Sequence, residues 1–590
     1  MIHLLIVKLY FLLLLFFLSI SAIAQTIDNV KINGNSDFLQ SDYINWINLN
    51  NKKYFDTIKD TINQRISINL KRNGYYNFQI DSVLSLISAD TQKVEINIFL
   101  NEGNPTFVNS IFIQNLDSVD QQTVDEKFEL LFNKPFIISE LEATFSDLLK
   151  EFENNGFPFA SINIESLFFF FDSTNEENYV DAYLKFSKNE ISTIDTIIIR
   201  GNFKTENFVI IRELRMNKGE NYSQEKIDEI PNKLNRLRFF EQVQTPKYFL
   251  NSQNKGVLQI DVVEKSTNSF DGVLGYIPAT NEKDNGYFTG LANINLRNLF
   301  GTGRALSFKW SKLDRNSQEL EVKYLEPWIL NLPINVGLML FQRQQDTTYI
   351  QRILNANFEF LATESFSSAL TFSQEYTIPT NPEERGFTVF NSISTNSGVN
   401  FKYDSRDDIF VPTKGFYLLN AYKHSAKKII GPDIFITKST NKNPNQFKVE
   451  LDLFLFKSFF IRHIPFVSLH LRELRGDDIE ISDMYRIGGN NTLRGYQEDQ
   501  FTGSSLLWTN VEYRYLLGRH SYTFLFADIA YYKRIAIPNI NLTEFSATKM
   551  GYGFGITFET ALGMLAVSYA IAEGDSFSKG KIHFGLIGEF

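Results

Sequence analysis

The sequence predicts α+β modules in its first part and an all-β transmembrane barrel in its second, and three observations carry that expectation. Helical stretches end at Gly74, Gly156 and Arg238, each 82 residues from the last, and a fixed spacing marks tandem modules rather than one large domain. From about residue 267 the helical periodicity gives way to strict alternation of apolar and polar residues, the period of a strand with two unlike faces. Aromatic residues make up 15% of the chain, with 56 Phe and 26 Tyr, yet mean hydropathy is -0.18. Beyond residue 24 no apolar run reaches the roughly 20 residues of a helical span. A membrane barrel reconciles these facts, because only alternate residues face lipid and aromatics gather at the two interfaces.

In chain order, residues 1–24 carry Lys8, an apolar run from Leu9 to Ile20, and Ser21-Ala22-Ile23-Ala24 before Gln25. The small residues Ala22 and Ala24 form an Ala-x-Ala cleavage signal, so this stretch reads as a secretory signal peptide and not as part of the fold. There is no Cys anywhere, which removes a disulfide framework and a thiol nucleophile from consideration.

Three modules then follow, over residues 25–103, 104–190 and 191–266. The helices of each end in Arg72-Asn73-Gly74-Tyr75-Tyr76, Asn154-Asn155-Gly156-Phe157-Pro158 and Arg236-Leu237-Arg238-Phe239-Phe240. The first module opens with an alternating strand from Ile27 to Gly34-Asn35 and closes with Val94 to Gly103. The third opens with Ile194 to Gly201-Asn202 and closes with Val257 to Glu264. Two helical stretches lie between, in the third module Glu206 to Met216 and Gln224 to Leu237, giving the order strand, helix, helix, strand, strand. The second module departs, with Gln114-Asn115 in place of Gly-Asn and an unusually apolar run from Leu167 to Phe171.

A short polar joint, Lys265 to Ser269, leads into residues 267–590. In Ala305 to Ser311, Leu306, Phe308 and Trp310 share one face while Ser307, Lys309 and Ser311 share the other. Val511, Tyr513 and Tyr515 oppose Asn510, Glu512 and Arg514, and Tyr552, Phe554, Ile556 and Phe558 oppose Gly553, Gly555, Thr557 and Glu559. The last segment places Ile582, Phe584, Leu586, Gly588 and Phe590 on one face. A soluble sandwich would produce the same local alternation; the signal peptide, the long segments and the terminal aromatic favour the membrane.

Within this half, Tyr485 to Tyr496 reads Tyr-Arg-Ile-Gly-Gly-Asn-Asn-Thr-Leu-Arg-Gly-Tyr. Gly488, Gly489 and Gly495 permit backbone conformations closed to other residues, and the two Asn favour turning, so this is a loop between strands. Its Arg494-Gly495-Tyr496, about a hundred residues before a C-terminal Phe, resembles the signature loop of the BamA and TamA superfamily of outer-membrane assembly proteins. Phe526-Ala527-Asp528-Ile529-Ala530 resembles that family's Phe-x-Asp-x-Gly strand motif, with Ala530 where glycine is usual. Asn298-Leu299-Phe300-Gly301-Thr302-Gly303, Tyr324-Leu325-Glu326-Pro327-Trp328 and Glu512-Tyr513-Arg514 are further, individually weak matches whose order persuades. The three modules resemble the family's periplasmic POTRA domains, and the arrangement is most similar to its TamA-type or short BamA-type members.

The resemblance implies that the loop folds back into a barrel of sixteen strands and that Arg494 meets Asp528, with Phe526 beside it, on the inner wall. Sixteen strands leave about 20 residues for each strand and its loop, which suits membrane strands of about 9–11 residues. Phe584, Leu586 and Phe590 are similar to the C-terminal targeting signal of such barrels. The function implied is insertion of other barrel proteins: clients are unfolded outer-membrane proteins, helped by periplasmic or inner-membrane-anchored accessory proteins, at an outer membrane of a Gram-negative-type cell. Gly585 and Gly588 would give the last strand little side-chain packing, so a seam there could open and template a client strand by edge pairing.

Enzymatic chemistry finds no support in the motifs. Six His are scattered without His-Glu-x-x-His spacing, and neither Gly-x-Ser-x-Gly nor a phosphate loop is present. His470 and Glu473 read as neighbouring polar residues of a lumen strand, and the alternating Gly551, Gly553 and Gly555 read as space on a crowded inner wall. No cofactor is expected. The net charge of -10 argues against nucleic acid as a partner. Two rivals remain: a two-partner secretion pore, disfavoured because strand-like Ile27 to Ile32 follows the cleavage site directly, and a passive porin with periplasmic interaction modules.

Overall fold

A computed structural model of the chain describes residues 26–587 apart from 50–51, 56, 88–92, 118–119, 279–284, 313, 346, 381–388, 439, 539–540 and 561–562. The expected signal peptide and Phe590 lie outside the described residues. The chain divides into two compact units. One runs up to Thr196 and adds Lys218–Ile227 and Phe249–Val257; the other comprises Ile197–Asn217, Asp228–Tyr248 and the chain from Leu258 onward.

The first module is β1 (Thr26–Asn33), helices Gln40–Ile47 and Ile58–Arg72, β2 (Gln79–Ile87) and β3 (Lys93–Asn101). Its sheet order is β1-β3-β2, with β1 parallel to β3 and β2 antiparallel. Ile58, Ile62, Ile66 and Leu70 recur at helical spacing and are buried against Val94, Ile96 and Ile98 at strand spacing, so the two periodicities meet in one core. The second module repeats this with β4 (Thr106–Gln114), helices Gln121–Glu129 and Ile138–Asn154, β5 (Ser161–Asp172) and β6 (Glu177–Ser187), ordered β4-β6-β5. The third adds a small ribbon, β7 (Thr193–Ile194) with β9 (Glu220–Asn221), to β8 (Thr196–Arg200), helices Asn207–Leu214 and Gln224–Leu237, β10 (Lys247–Leu250) and β11 (Gly256–Asp261). The first of those helices is shorter than the predicted 206–216, because Arg215 takes a left-handed φ of 52° and stops it.

The 82-residue spacing has a backbone cause. Gly74, Gly156 and Arg238 follow their helices with φ of 88°, 100° and 60°. At the first two, the N–H of Tyr75 returns to the Leu70 carbonyl and that of Phe157 to the Phe152 carbonyl, the left-handed termination that satisfies a helix's last acceptors.

A second device brackets each module's first loop. Gly34 and Gly201 hold φ of 92° and 91°, and a Cβ on either would overlap the carbonyl oxygen of Leu100 or Val262. The carboxylates of Glu102 and Glu264 then collect the loop's backbone donors: Ser36 N at 2.8 Å and Asp37 N at 2.6 Å for Glu102, Lys204 N at 2.9 Å and Thr205 N at 2.6 Å for Glu264. Tyr43 adds its hydroxyl to Glu102 at 2.7 Å. Burial works against the charged Glu102, yet the Asp37 and Ser36 donors and the Tyr43 hydroxyl hold its carboxyl below the usual carboxylate range. In the second module the polarity is reversed. Asn115 takes the left-handed turn at φ 66°, and the ammonium of Lys188, at the end of β6, ion-pairs with Asp120 and lies 3.6 Å from Asp117.

From Ser269 one 16-stranded antiparallel sheet begins: β12 (Ser269–Ile277), β13 (Tyr287–Leu299), β14 (Arg304–Lys312), β15 (Gln318–Glu326), β16 (Ile334–Gln345), β17 (Tyr349–Phe360), β18 (Phe366–Pro379) and β19 (Asn391–Asp404). It continues through β20 (Lys414–Gly431), β21 (Asn445–Lys457) and β22 (His463–Gly476). A two-stranded stem, β23 (Tyr485–Ile487) with β24 (Phe501–Gly503), leaves the wall, which resumes at β25 (Ser505–Gly518), β26 (Ser521–Arg534), β27 (Phe545–Thr560), β28 (Gly563–Ala572) and β29 (Lys581–Ile587). Every neighbouring pair is consecutive in sequence except β22–β25, which closes over the departing stem.

The wall is apolar outside and polar inside, and this removes the soluble sandwich. On β26 Leu525 is 63% exposed, whereas Asp528 on the opposite face is 0% exposed. On β25 Tyr513 is 50% exposed and Glu512 only 8%. A water-soluble sheet would reverse that assignment; lipid requires it.

The third module's helix Asn207–Leu214 meets the short turns at one end of this wall. The Trp328 indole N–H donates to Glu213 Oε1 at 2.9 Å, Glu206 N donates to Gly301 O at 2.9 Å, and the Asn298 amide donates to Thr205 Oγ1 at 2.8 Å. Arg238, in its left-handed conformation, lays its guanidinium 3.0 Å from the ring centre of Phe410. The turn motifs 298–303 and 324–328 thus act as the seat for this helix.

Candidate functional site

The hairpin 485–503 leaves the wall on the stem β23–β24, whose register pairs Tyr485 with Gly503 and Ile487 with Phe501. Its glycines turn it back. Gly488 and Gly489 have φ of 131° and 88°, and a Cβ on either would overlap Gln497 O or the Glu498 carboxylate. Thr492 Oγ1 accepts from Gly488 N at 2.8 Å, and Leu493 O accepts from Gly489 N at 3.1 Å. The tip delivers Leu493, fully buried, into a cluster with Ile487, Tyr496, Leu506, Trp508, Ala530, Tyr532 and Ala572. Burying a leucine-sized side chain stabilises by about 1.5–3 kcal/mol, so an apolar anchor positions the polar group that follows.

That group is Arg494. Its Nε and Nη2 donate to the two oxygens of Asp528 at 2.8 and 2.7 Å, and its backbone N donates to the same carboxylate at 3.0 Å. Nη1 donates to Glu512 Oε1 at 2.8 Å, while Arg514 Nε donates to Glu512 Oε2 at 2.8 Å. The guanidinium carbon lies 3.6 Å from the ring centre of Phe526, and that of Arg514 lies 4.2 Å from the ring of Phe466. Asp528, Arg494, Glu512 and Arg514 therefore form an alternating, charge-balanced and buried row that begins at Asp528 and ends with Arg514 over the ring of Phe466. A buried ion without its partner costs several kcal/mol, so losing Arg494 would strand Asp528 while Glu512 keeps Arg514.

Gly495 and Tyr496 complete the seat. Gly495 has φ 95°, and a Cβ there would sit 2.9 Å from Ala572 N. Tyr496 donates its hydroxyl to Met550 O at 3.0 Å. On the wall, a Cβ at Gly551 would overlap Arg494 O, and one at Gly553 would come 2.9 Å from the Phe526 ring. The loop thereby touches five consecutive strands, β25 to β29.

Two family models match this architecture. The Omp85 superfamily domain covers residues 298–590, and the POTRA model, described as a surface antigen variable number repeat, covers residues 25–103 and 192–265. The chain belongs to the Omp85 superfamily. Between the two POTRA matches lies the second module, whose strand and helix order is nevertheless the same. Among curated relatives, outer membrane protein assembly factor BamA of Nitratidesulfovibrio vulgaris is 22% identical over 534 residues, 82% of this chain and 63% of that protein. BamA of Neisseria meningitidis is 22% identical over 278 residues, 47% of this chain and 33% of that protein. The chain thus spans less than two thirds of the length of either. Solved structures similar to it include BamA from Haemophilus ducreyi lacking POTRA domains 1–3, at 15% identity, 82% and 98% coverage of the two chains and a TM-score of 0.48. CdiB from Acinetobacter baumannii is similar at 13% identity, 93% and 98% coverage and a TM-score of 0.43.

Of the Omp85 residues read from the sequence, Arg494, Gly495, Tyr496, Gly488, Gly489, Asp528 and Phe526 converge in this one site. Phe584, on β29, is 70% exposed on the outward face, and the backbone of Leu586 pairs with Leu565 on β28. His470 and Glu473 do not meet: His470 Nδ1 bonds Asp452 at 2.6 Å and its ring stacks 4.5 Å from Trp508, while Glu473 accepts from Arg475. Sequence reasoning missed Glu512 and Arg514 as members of the row. Their signal was available in part, since both share the polar parity of β25, but only the register that sets Glu512 opposite Phe526 brings them to Arg494.

Proposed function

We propose that the chain is an outer-membrane protein assembly factor: it inserts other barrel proteins into the outer membrane of a Gram-negative-type bacterium, with its three modules in the periplasm. The observation that carries this reading is the loop. A buried, charge-balanced row and an apolar anchor press it against β25–β29, and β29 ends the strand order, bonded among the described residues to β28 alone. A strand with an unpaired edge in lipid is costly, and the same edge is a template for an incoming strand. Opening between β12 and β29 would let an unfolded outer-membrane protein pair its first strand before its amides enter lipid. The curated relatives' assembly-factor names support the same reading.

In this account the protein performs no covalent chemistry and uses neither cofactor nor nucleotide; the driving force is the client's own folding in the bilayer. The modules receive clients and periplasmic or inner-membrane-anchored accessory proteins. The test is insertion of an unfolded barrel protein into liposomes that contain the purified chain. The native chain should accelerate insertion, and Arg494→Ala should lose most of the acceleration. Open, steady conductance with no acceleration by folded native protein would replace this reading with a secretion pore or a porin.

A further inference from the structure

The last strand is held from inside the barrel as well as from its neighbour. On β29, Lys581, His583 and Gly585 share the inward parity, opposite Ala570, Ser568 and Ala566 of β28. Gly495 N donates to His583 Nε2 at 3.0 Å, and Lys581 Nζ donates to Gly495 O at 2.7 Å. Gly495, one residue of the loop, is thus gripped at both its N–H and its C=O, in two successive peptide groups, by alternate residues of the final strand. Two residues on, Gly585 leaves room for the Asn490 amide, which any Cβ at that position would overlap. Lys581 also lies 4.0 Å from Asp575, but the bond to Gly495 is the shorter.

The chemistry of the pair is specific. An imidazole accepts an N–H only at a nitrogen with a free lone pair, so His583 here carries its proton on Nδ1. An ammonium is the complementary donor for the carbonyl. Neither residue belongs to the ionic row, whose anchors are on β25 and β26, three or more strands away from β29.

We propose that His583 and Lys581 are positioning residues that make β29 part of the loop's seat, so that release of the loop and release of the seam strand are a single event. This inference rests on the seam reading above only for its consequence; the coupling itself is a property of the folded chain. It places control of the seam on two side chains that could be changed without touching Arg494, Glu512 or Asp528.

The experiment is amide hydrogen exchange by mass spectrometry on the purified full chain in lipid nanodiscs, comparing native protein with His583→Leu, His583→Gln and Lys581→Met. Losing one bond should speed exchange of the β29 amides and of Gly495 about tenfold, with β25–β26 unchanged. His583→Gln keeps an oxygen that can accept the Gly495 N–H, and it should restore protection. Unchanged β29 exchange in both His583→Leu and Lys581→Met would overturn the proposal, as would a Gln variant no better protected than Leu. Should those variants not fold, the cysteine-free chain permits a second measurement, Asn490→Cys with Gly585→Cys. Oxidation should slow β29 exchange along with that of the loop, and slowing of neither would overturn it. If oxidation couples loop and strand yet client insertion proceeds at the native rate, the coupling stands and the seam reading falls.

Discussion

Arg494→Ala is the perturbation with the clearest physical consequence. It removes two side-chain bonds to Asp528 and one to Glu512, leaving Asp528, 0% exposed, with only the Arg494 backbone N–H of the three loop donors that it had. Glu512 keeps Arg514. Breaking a buried pair by deleting one partner costs about 3–5 kcal/mol. That cost exceeds the about 1.5–3 kcal/mol from burying Leu493, so the loop should unseat rather than remain docked over an unpaired carboxylate. Exchange of the Arg494 and Gly495 amides, which donate to Asp528 and His583, reports the event directly. A loss of about 3–5 kcal/mol corresponds to roughly 10²–10³-fold faster exchange, or more, across residues 488–500, with the β16–β20 ladders unchanged. Arg494→Lys keeps the charge but not the fork and should fall between. In a double-mutant cycle, Arg494→Ala with Asp528→Ala should cost less than the two singles added, because no charge is then stranded. A folded Arg494→Ala protein with loop exchange within about threefold of native would refute the reasoning, since single bonds alone exceed that.

Three further outcomes follow from other parts of the structure. Gly551→Ala leaves every charge in place but puts a Cβ on Arg494 O; overpacking costs about 1–3 kcal/mol, so its loop exchange should rise in the same residues as in Arg494→Ala. Glu102 has a folded-state pKa below its unfolded one, so its contribution is complete above the unfolded value near pH 4.3 and is lost as pH falls through the lower folded value. Urea unfolding followed at Trp46, on the helix Gln40–Ile47 against the first module's core, should show that acid loss in the native chain, and Glu102→Gln should flatten it. Trp328→Phe removes the donor to Glu213, whose carboxyl burial pushes up; exchange of the helix Asn207–Leu214 should report about 1–3 kcal/mol of lost protection.

Much of the fold was legible because it rests on periodicity. Alternation located the strands, helical spacing located Ile58 to Leu70, and the 82-residue interval located the turns where Gly74, Gly156 and Arg238 adopt left-handed backbone. Alternation alone could not say which face met water, since a sandwich and a barrel share it. Burial of Asp528 beside exposure of Leu525 decided that question.

The sequence by itself determined the modular order, the loop's capacity to turn and the residue types on each face, because these depend on local backbone preference and on the parity of single strands. Only the tertiary structure decided which inward-facing residues the loop meets. Glu512, Lys581 and His583 are separated from Arg494 by up to 89 positions, and register, not spacing, brings Glu512 to Arg494, with Arg514 behind it, and Lys581 and His583 to Gly495. Burial then supplies the force of the ionic row: Arg494, Asp528, Glu512 and Arg514 are buried, and each must find its partner or leave the interior.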